Sequence, residues 1–97
     1  MAKTSRLQKK YFVYIVKCSD GTYYPGKTTD LSRRLLEHNG VLKNGAKYTR
    51  PRRPVALVFY EQNLTNSSAS RREQEIKQMS RSQKEALITG RILPPLK

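Results

Sequence analysis

The sequence has little of the chemistry that binds zinc or cross-links a fold. It contains one cysteine, Cys18, and one histidine, His38, among 97 residues. A single cysteine excludes an intrachain disulfide and a tetrahedral cysteine site for zinc. Any metal ion must therefore be held by oxygen ligands, which favours Mg²⁺ or Mn²⁺.

Long hydrophobic runs are also missing. No apolar stretch approaches the roughly 20 residues that a membrane-spanning helix needs. The first six residues, Met1 to Arg6, contain no hydrophobic signal core. We therefore expect a cytoplasmic or nuclear protein that is neither secreted nor held in a membrane.

Negative charge is scarce. Seven Asp and Glu stand against twenty Lys and Arg, which gives a formal net charge of +13. A polyanionic partner offsets such self-repulsion, because each neutralised phosphate releases condensed counterions. The basic residues run through the whole chain instead of clustering beside an amphipathic anchor, which favours nucleic acid over an anionic membrane. A basic protein without a polyanionic partner is the remaining alternative.

The length and composition predict one small domain. Ninety-seven residues with a hydrophobic fraction of 36% permit a single core of limited size. We expect a flexible basic N-terminus at 1–10, one domain at 11–90 and an irregular tail at 91–97. The predicted elements follow the order β-β-α-β-α-α, which indicates an α/β fold with a small three-stranded sheet and packed helices.

Three segments have the composition of strands. Residues 11–16 (YFVYIV) are aromatic and β-branched and apolar on both faces, which predicts a central strand. A turn at 19–21 precedes a second strand at 22–24, so the two form a hairpin. Pro25 cannot donate a ladder hydrogen bond, and the second strand must lie at an edge or end there. Residues 55–60 (VALVFY) predict the third strand.

The pattern also predicts three helices, near residues 30–39, 67–79 and 81–88. Asp30 stands at the N-cap position of the first. Residues 40–54 form a long basic loop, and a loop of this length in so small a domain is usually functional.

We expect the cations of the 40–54 loop to contact phosphates, together with Lys27 and Arg33. Tyr48 in the same loop either stacks on an exposed base or packs beneath the loop. The basic loop residues in this prediction are Lys43, Lys47, Arg50, Arg52 and Arg53.

One carboxylate has an unusual predicted position. Glu73 lies four residues after Ala69 and three before Ile76, on the helical stripe that must face the core. An inward carboxylate is costly unless it is paired or bound to metal. A structural ion pair is the ordinary explanation and metal binding the functional one. The candidate ion-pair partners are Arg34, Arg72 and Lys77.

Two further features are ambiguous by themselves. Arg34 and His38 are four residues apart and share a helix face, although either is compatible with a purely structural role. Tyrosines in strands usually pack, whereas a phenol acts as a base or proton relay if neighbouring cations lower its pKa. The four hairpin tyrosines are Tyr11, Tyr14, Tyr23 and Tyr24.

Three separated motifs together resemble the signature of GIY-YIG nucleases. Phe12-Val13-Tyr14 stands in place of the first hairpin motif and Tyr24-Pro25-Gly26 in place of the second. Asp30-Leu31-Ser32-Arg33-Arg34 and Arg71-Arg72-Glu73 follow at matching intervals. The resemblance covers residues 11–88 and is closest to small free-standing bacterial members. It extends to the nuclease subunit of eukaryotic structure-specific endonucleases and to the incision domain of bacterial excision repair, which implies DNA repair chemistry.

The resemblance implies roles for the site residues. Tyr14 would activate or position the attacking water, with Tyr24 beside it, and Lys27 would lie near the phosphate and help lower a tyrosine pKa.

On the helices, the resemblance implies that Arg34 neutralises charge on the pentavalent phosphate. His38 would orient or deprotonate the nucleophile, and Glu73 would hold one divalent metal ion, Mg²⁺ or Mn²⁺. We therefore predict a nucleic-acid-binding, metal-dependent endonuclease that hydrolyses phosphodiester bonds in DNA. The alternatives are a non-catalytic nucleic-acid-binding module on the same scaffold, or a nuclease subunit that needs a partner protein.

Overall fold

The computed structural model describes residues 10–92, without the side chains of Asn63, Arg91 and Ile92. The flexible N-terminus expected at 1–10 lies outside the described residues except for Lys10. The irregular tail expected at 91–97 lies outside them from residue 93 onward.

The sheet has three antiparallel strands, β1 (Tyr11–Lys17), β2 (Tyr23–Thr28) and β3 (Ala56–Leu64), in the order β2-β1-β3. The predicted hairpin and the central position of β1 are confirmed. β2 lies at the edge of the sheet, which confirms the first of the two alternatives for a strand that contains Pro25, and it continues to Thr28, beyond the predicted range of 22–24. An edge strand tolerates proline because the missing N–H can lie on the side that has no neighbour.

The helices are α1 (Leu31–His38), α2 (Asn66–Lys77) and α3 (Arg81–Ile92), which confirms the order β-β-α-β-α-α. The Asp30 carboxylate accepts a hydrogen bond from the Arg33 backbone N–H at 3.1 Å, as expected of an N-cap. No helix within residues 10–92 is long and apolar enough to cross a membrane.

β1 supplies both cores because alternate side chains of a strand point to opposite faces. Val13 and Ile15 face α2, where they pack with Phe59, Ala69 and Ile76. Tyr14 and Val16 face α1, where they pack with Tyr24, Leu31 and Leu35 among others. We call these the α2 face and the α1 face of the sheet. A polar group on the α1 face, the Tyr14 hydroxyl, is thereby buried beside α1.

Candidate active site

The centre of the site is a buried pair formed by Tyr14 of β1 and His38 of α1. The Tyr14 hydroxyl lies 2.8 Å from His38 Nε2, and the exposed fractions of the two residues are 1% and 0%. The Tyr24 ring, on β2, also meets the His38 ring edge-to-face at 5.5 Å between centroids. The structure thus brings both motif tyrosines to the only histidine of the chain.

Gly26 allows the Tyr14 side chain to lie directly against the backbone of β2. It is the β2 partner of Tyr14 in the strand register. A Cβ atom built on Gly26 would overlap the Tyr14 hydroxyl. Glycine is therefore required at this position, where the phenol approaches the neighbouring backbone.

Arg34 lies beside the tyrosine and is held from three sides. Its Nε is 3.4 Å from the Tyr14 hydroxyl, and one terminal nitrogen donates to Glu37 at 2.6 Å and to the Asn44 carbonyl at 2.8 Å. Glu37 is buried and also pairs with Arg33 at 3.2 Å. The hydrogen bond from Arg34 is the main cause that lowers the pKa of the Glu37 carboxyl. Glu37 is not among the predicted site residues, although its spacing of three from Arg34 and four from Arg33 is the spacing of helical ion pairs.

Burial controls the protonation of the central pair. It raises the pKa of Tyr14 to about 12, against the opposing effect of Arg34. The cationic neighbour Arg34 does lower the pKa of Tyr14, but burial has the larger effect, and the pKa lies above its ordinary value. Burial, aided by the Arg34 charge, also lowers the pKa of His38 from 6.5 to about 4. At neutral pH the site holds a neutral phenol, a neutral imidazole and a guanidinium.

The neutral histidine has a consequence for stability. Its pKa is lower in the folded protein than in the unfolded chain, so its stabilising contribution is complete above pH 6.5 and declines as the pH falls toward 4. Between pH 7 and pH 4.5 we expect wild type to lose about 2 kcal/mol of unfolding free energy more than His38→Gln. Urea unfolding of both proteins at the two pH values measures this difference. Equal losses would mean that His38 has an ordinary pKa.

The loop that follows α1 completes the surroundings of His38. The Nδ1 atom of His38 lies 2.9 Å from the hydroxyl of Thr49, which is a fully buried residue. That hydroxyl donates to the Ala46 carbonyl at 3.1 Å. Arg53 donates to the His38 carbonyl at 2.6 Å. Thr49 is not among the predicted site residues, because it lies in the 40–54 loop, where no helical or strand periodicity marks a residue as inward-facing.

The other aromatic of the loop, Tyr48, packs on the site. It stacks on Tyr24 with centroids 5.5 Å apart, and the Arg52 guanidinium lies 4.0 Å from its ring centroid. Arg52 also pairs with Asp20 at 3.1 Å. Packing, one of the two alternatives for Tyr48, is therefore observed, while stacking on a base remains a prediction.

Apart from Lys27, the cations predicted to bind phosphate fall into two groups. The guanidinium of Arg52 already contacts Asp20 and the Tyr48 ring, and that of Arg53 donates to the His38 carbonyl. The cations on the open surface are Arg33, Lys43, Lys47 and Arg50.

Lys27 lies on the opposite face of the sheet from Tyr14. Its ammonium group donates to Asn66 at 2.9 Å and to Ser70 at 2.5 Å, both on α2, and lies 5.8 Å from the Tyr11 ring centroid. The contacts of Lys27 therefore join β2 to α2 and do not include Tyr14 or Tyr24.

Glu73 follows Ser70 by three residues on the same side of α2. Its side chain is 17% exposed, and its ion pair is with Lys77 at 3.5 Å. The two arginines considered as partners are engaged elsewhere, Arg34 with Glu37 and Arg72 with Glu61 and Glu75.

The Glu73 carboxylate is among the charges that raise the pKa of Tyr14, after burial. The Glu73 charge therefore acts on Tyr14 without a hydrogen bond to it among the contacts of residues 10–92.

The donor set around Glu73 suits a weakly held oxygen-binding ion. Within the described part of the chain, no three His, Cys, Asp or Glu residues form a cluster that could hold a metal. Among residues 10–92 the Glu73 carboxylate has one ion pair, with the half-exposed Lys77, so its oxygens remain available there. Mg²⁺ commonly binds through one or two carboxylates and completes its shell with water and substrate phosphate. A single Mg²⁺ or Mn²⁺ ion held by Glu73 together with a phosphate fits this arrangement.

The fold and the Tyr14–His38–Arg34 cluster can be compared with those of known protein families. Residues 10–86 match the family model of the GIY-YIG catalytic domain, and the chain belongs to the GIY-YIG family. GIY-YIG domains generally act on nucleic acid, and the nucleases among them are generally metal-dependent. The predicted family is therefore confirmed.

Within that family the chain is similar to UPF0213 proteins. It is 57% identical over 78 residues to UPF0213 protein VNG_2274C of Halobacterium salinarum, covering 80% of this chain and 99% of that one. The solution NMR structure of the protein EF2693 from E. faecalis has a TM-score of 0.60 at 39% identity, covering 89% and 90% of the two chains. That of the UPF0213 protein BH0048 from Bacillus halodurans has a TM-score of 0.53 at 42% identity, covering 82% and 83%.

Proposed function

We propose that this protein is a divalent-metal-dependent endonuclease that hydrolyses phosphodiester bonds in DNA. The observation that carries the proposal is the buried Tyr14–His38 hydrogen bond of 2.8 Å beside the fixed guanidinium of Arg34. Hydrolysis of a phosphodiester needs a group that accepts the proton of water and a cation that neutralises charge on the phosphate. This cluster offers both side by side in a chain with a net charge of +13.

In the proposed reaction, the oxygen of a water molecule forms a bond to phosphorus while the bond from phosphorus to the leaving oxygen breaks. The Tyr14–His38 pair takes the proton of the water, and the leaving oxygen takes a proton from solvent. The products are one hydroxyl end and one phosphomonoester end. Arg34 stabilises the negative charge that grows on the phosphate oxygens.

Glu73 would hold the metal ion, which when bound neutralises phosphate charge and assists departure of the leaving oxygen. Tyr24, packed between His38 and Tyr48, keeps the imidazole in place. We also propose a cytoplasmic location, where the buried lone thiol of Cys18 stays reduced.

Phosphate binding is proposed for Lys27 and for the exposed cations around the 40–54 loop. Replacement of Lys43 and Lys47 by Gln should lower the slope of log affinity against log salt by about 1.8 for duplex DNA, because each lost phosphate contact removes about 0.9. The slope is measured by fluorescence anisotropy at several salt concentrations.

A matched control removes the same charge elsewhere. Lys10 and Arg71 are also exposed, and their replacement by Gln should change the slope much less. Equal effects of the two double variants would show that net charge, and not the loop, determines affinity.

The test of the activity uses branched, nicked, duplex and single-stranded DNA and RNA, each with Mg²⁺, with Mn²⁺ or with chelator. We expect DNA to be cut by wild type with either metal and to remain intact with chelator. Tight binding without cutting of any substrate would replace this proposal by the binding module. Cutting of RNA alone would overturn the assignment of the substrate.

A further inference from the structure

The Thr49 hydroxyl contacts Nδ1 of His38, the ring nitrogen that Tyr14 does not contact. Both ring nitrogens of His38 are hydrogen-bonded in a buried chain of four groups. The distances are 2.8 Å from the Tyr14 hydroxyl to Nε2, 2.9 Å from Nδ1 to the Thr49 hydroxyl, and 3.1 Å from that hydroxyl to the Ala46 carbonyl. Tyr14, His38 and Thr49 are all at most 1% exposed.

The Ala46 carbonyl, the last of the four groups, determines the direction of the three hydrogen bonds. A carbonyl oxygen only accepts, so the single proton of the Thr49 hydroxyl points to Ala46. The hydroxyl must then accept from His38, which places the imidazole proton on Nδ1. Nε2 is left without a proton and accepts from the Tyr14 hydroxyl.

The opposite tautomer leaves polar groups unmatched. If Thr49 donated to Nδ1, its oxygen would face the Ala46 carbonyl 3.1 Å away without a proton between them. Tyr14 would receive N–H groups from both His38 and Arg34. The Tyr14 proton would have no acceptor among the contacts of residues 10–92, and an unmade hydrogen bond is costly in a buried site.

We propose that Thr49 is a positioning residue that fixes His38 as the Nδ1–H tautomer, so that Nε2 is the acceptor of the Tyr14 proton. The catalytic consequence rests on the proposed function. Water gives its proton to the Tyr14 oxygen as Tyr14 passes its own proton to Nε2. The imidazolium that forms keeps its Nδ1–H on Thr49 and later returns the Nε2 proton to the Tyr14 oxygen, as Tyr14 releases to solvent the proton that it took from water. The charged groups around this imidazolium are Arg34, Glu37 and Arg53.

The loop after α1 would then have two roles in the site. Besides presenting cations, it carries the hydroxyl that orients the base. Ala46 and Thr49 are also joined by a backbone hydrogen bond of 3.2 Å, so the acceptor and the hydroxyl belong to one turn.

The tautomer is measured directly by ¹⁵N NMR of the imidazole at pH 7. His38 is the only histidine of the chain, so every imidazole signal belongs to it, and couplings to the ring protons distinguish Nδ1 from Nε2. We expect Nδ1 protonated and Nε2 unprotonated in wild type and in Thr49→Ser. In Thr49→Val, which lacks the acceptor, the population should shift toward Nε2–H. A wild-type imidazole with the proton on Nε2, or equally on both nitrogens, overturns the proposal.

Cleavage supplies the second measurement. Thr49→Val should lower kcat by on the order of 100-fold, the lower range for general acid–base catalysis, with unchanged affinity for DNA. Thr49→Ser should stay within a few-fold of wild type. A Thr49→Val protein that keeps both the wild-type tautomer and the wild-type kcat contradicts the proposal. If Thr49→Val fails to fold, the wild-type tautomer decides alone. An Nδ1–H tautomer in a protein that cuts nothing would uphold the orientation by Thr49 and refute the proposed nuclease.

Discussion

Glu73→Gln is expected to abolish cleavage while leaving nucleic-acid binding intact or slightly tighter. The amide loses the negative charge that would hold the metal ion, and one repulsive charge near a polyanion disappears. The fold should survive, because glutamine keeps the volume and the Glu73–Lys77 pair of 3.5 Å is partly exposed and contributes little. Cleavage rates, anisotropy titrations and urea unfolding of the variant measure the three effects separately.

Glu75→Gln is the matched control for this variant. Glu75 lies on the same helix but its side chain is 59% exposed and pairs with Arg72. Its replacement removes the same charge at a position without access to the central pair, so cleavage should persist. Cutting that survives Glu73→Gln would place the metal ion on other residues.

Arg34→Ala should lower kcat by about 10²–10³-fold, the usual cost of removing one group that stabilises transition-state charge. Binding should change little, because the interaction is strongest when the charge on the phosphate is greatest. Single-turnover cleavage and anisotropy separate the two quantities.

Arg33→Ala provides a close comparison. Arg33 and Arg34 both pair with Glu37, but only Arg34 contacts the Tyr14 hydroxyl. Removing Arg33 therefore deletes one positive charge and one Glu37 partner and leaves the central pair untouched. If both variants lost the same activity, Arg34 would act only through Glu37 or through its net charge.

Local sequence rules predicted the elements of the sheet better than their lengths. The two-sided apolar composition of β1 indicated a central strand, and β1 is central. Pro25 left two alternatives open for the second strand, an edge position or an end at that residue, and β2 lies at the edge and continues to Thr28. Strand order decides which N–H groups are paired, and strand order is a long-range property.

In the site, too, local spacing predicted some of the contacts, and long-range folding determines the others. Helical spacing places Arg34 and His38 on one face, and both meet Tyr14 in the structure. Thr49 could not be found by spacing, since it reaches His38 only because the loop folds back on α1. The direction of the Tyr14 pKa was also beyond the sequence, because cations can be counted there but burial cannot.

Arg53 makes α1 dependent on the loop that follows it. A helix of eight residues is too short to be stable in isolation, and its final carbonyls need partners. The loop supplies them, through Arg53 to the His38 carbonyl and through the N–H groups of Val41 and Leu42 to the Leu36 carbonyl.

The helix and the loop therefore stabilise each other and belong to one cooperative folding unit. Local opening of that unit would release the imidazole, the hydroxyl that orients it and the guanidinium in the same event.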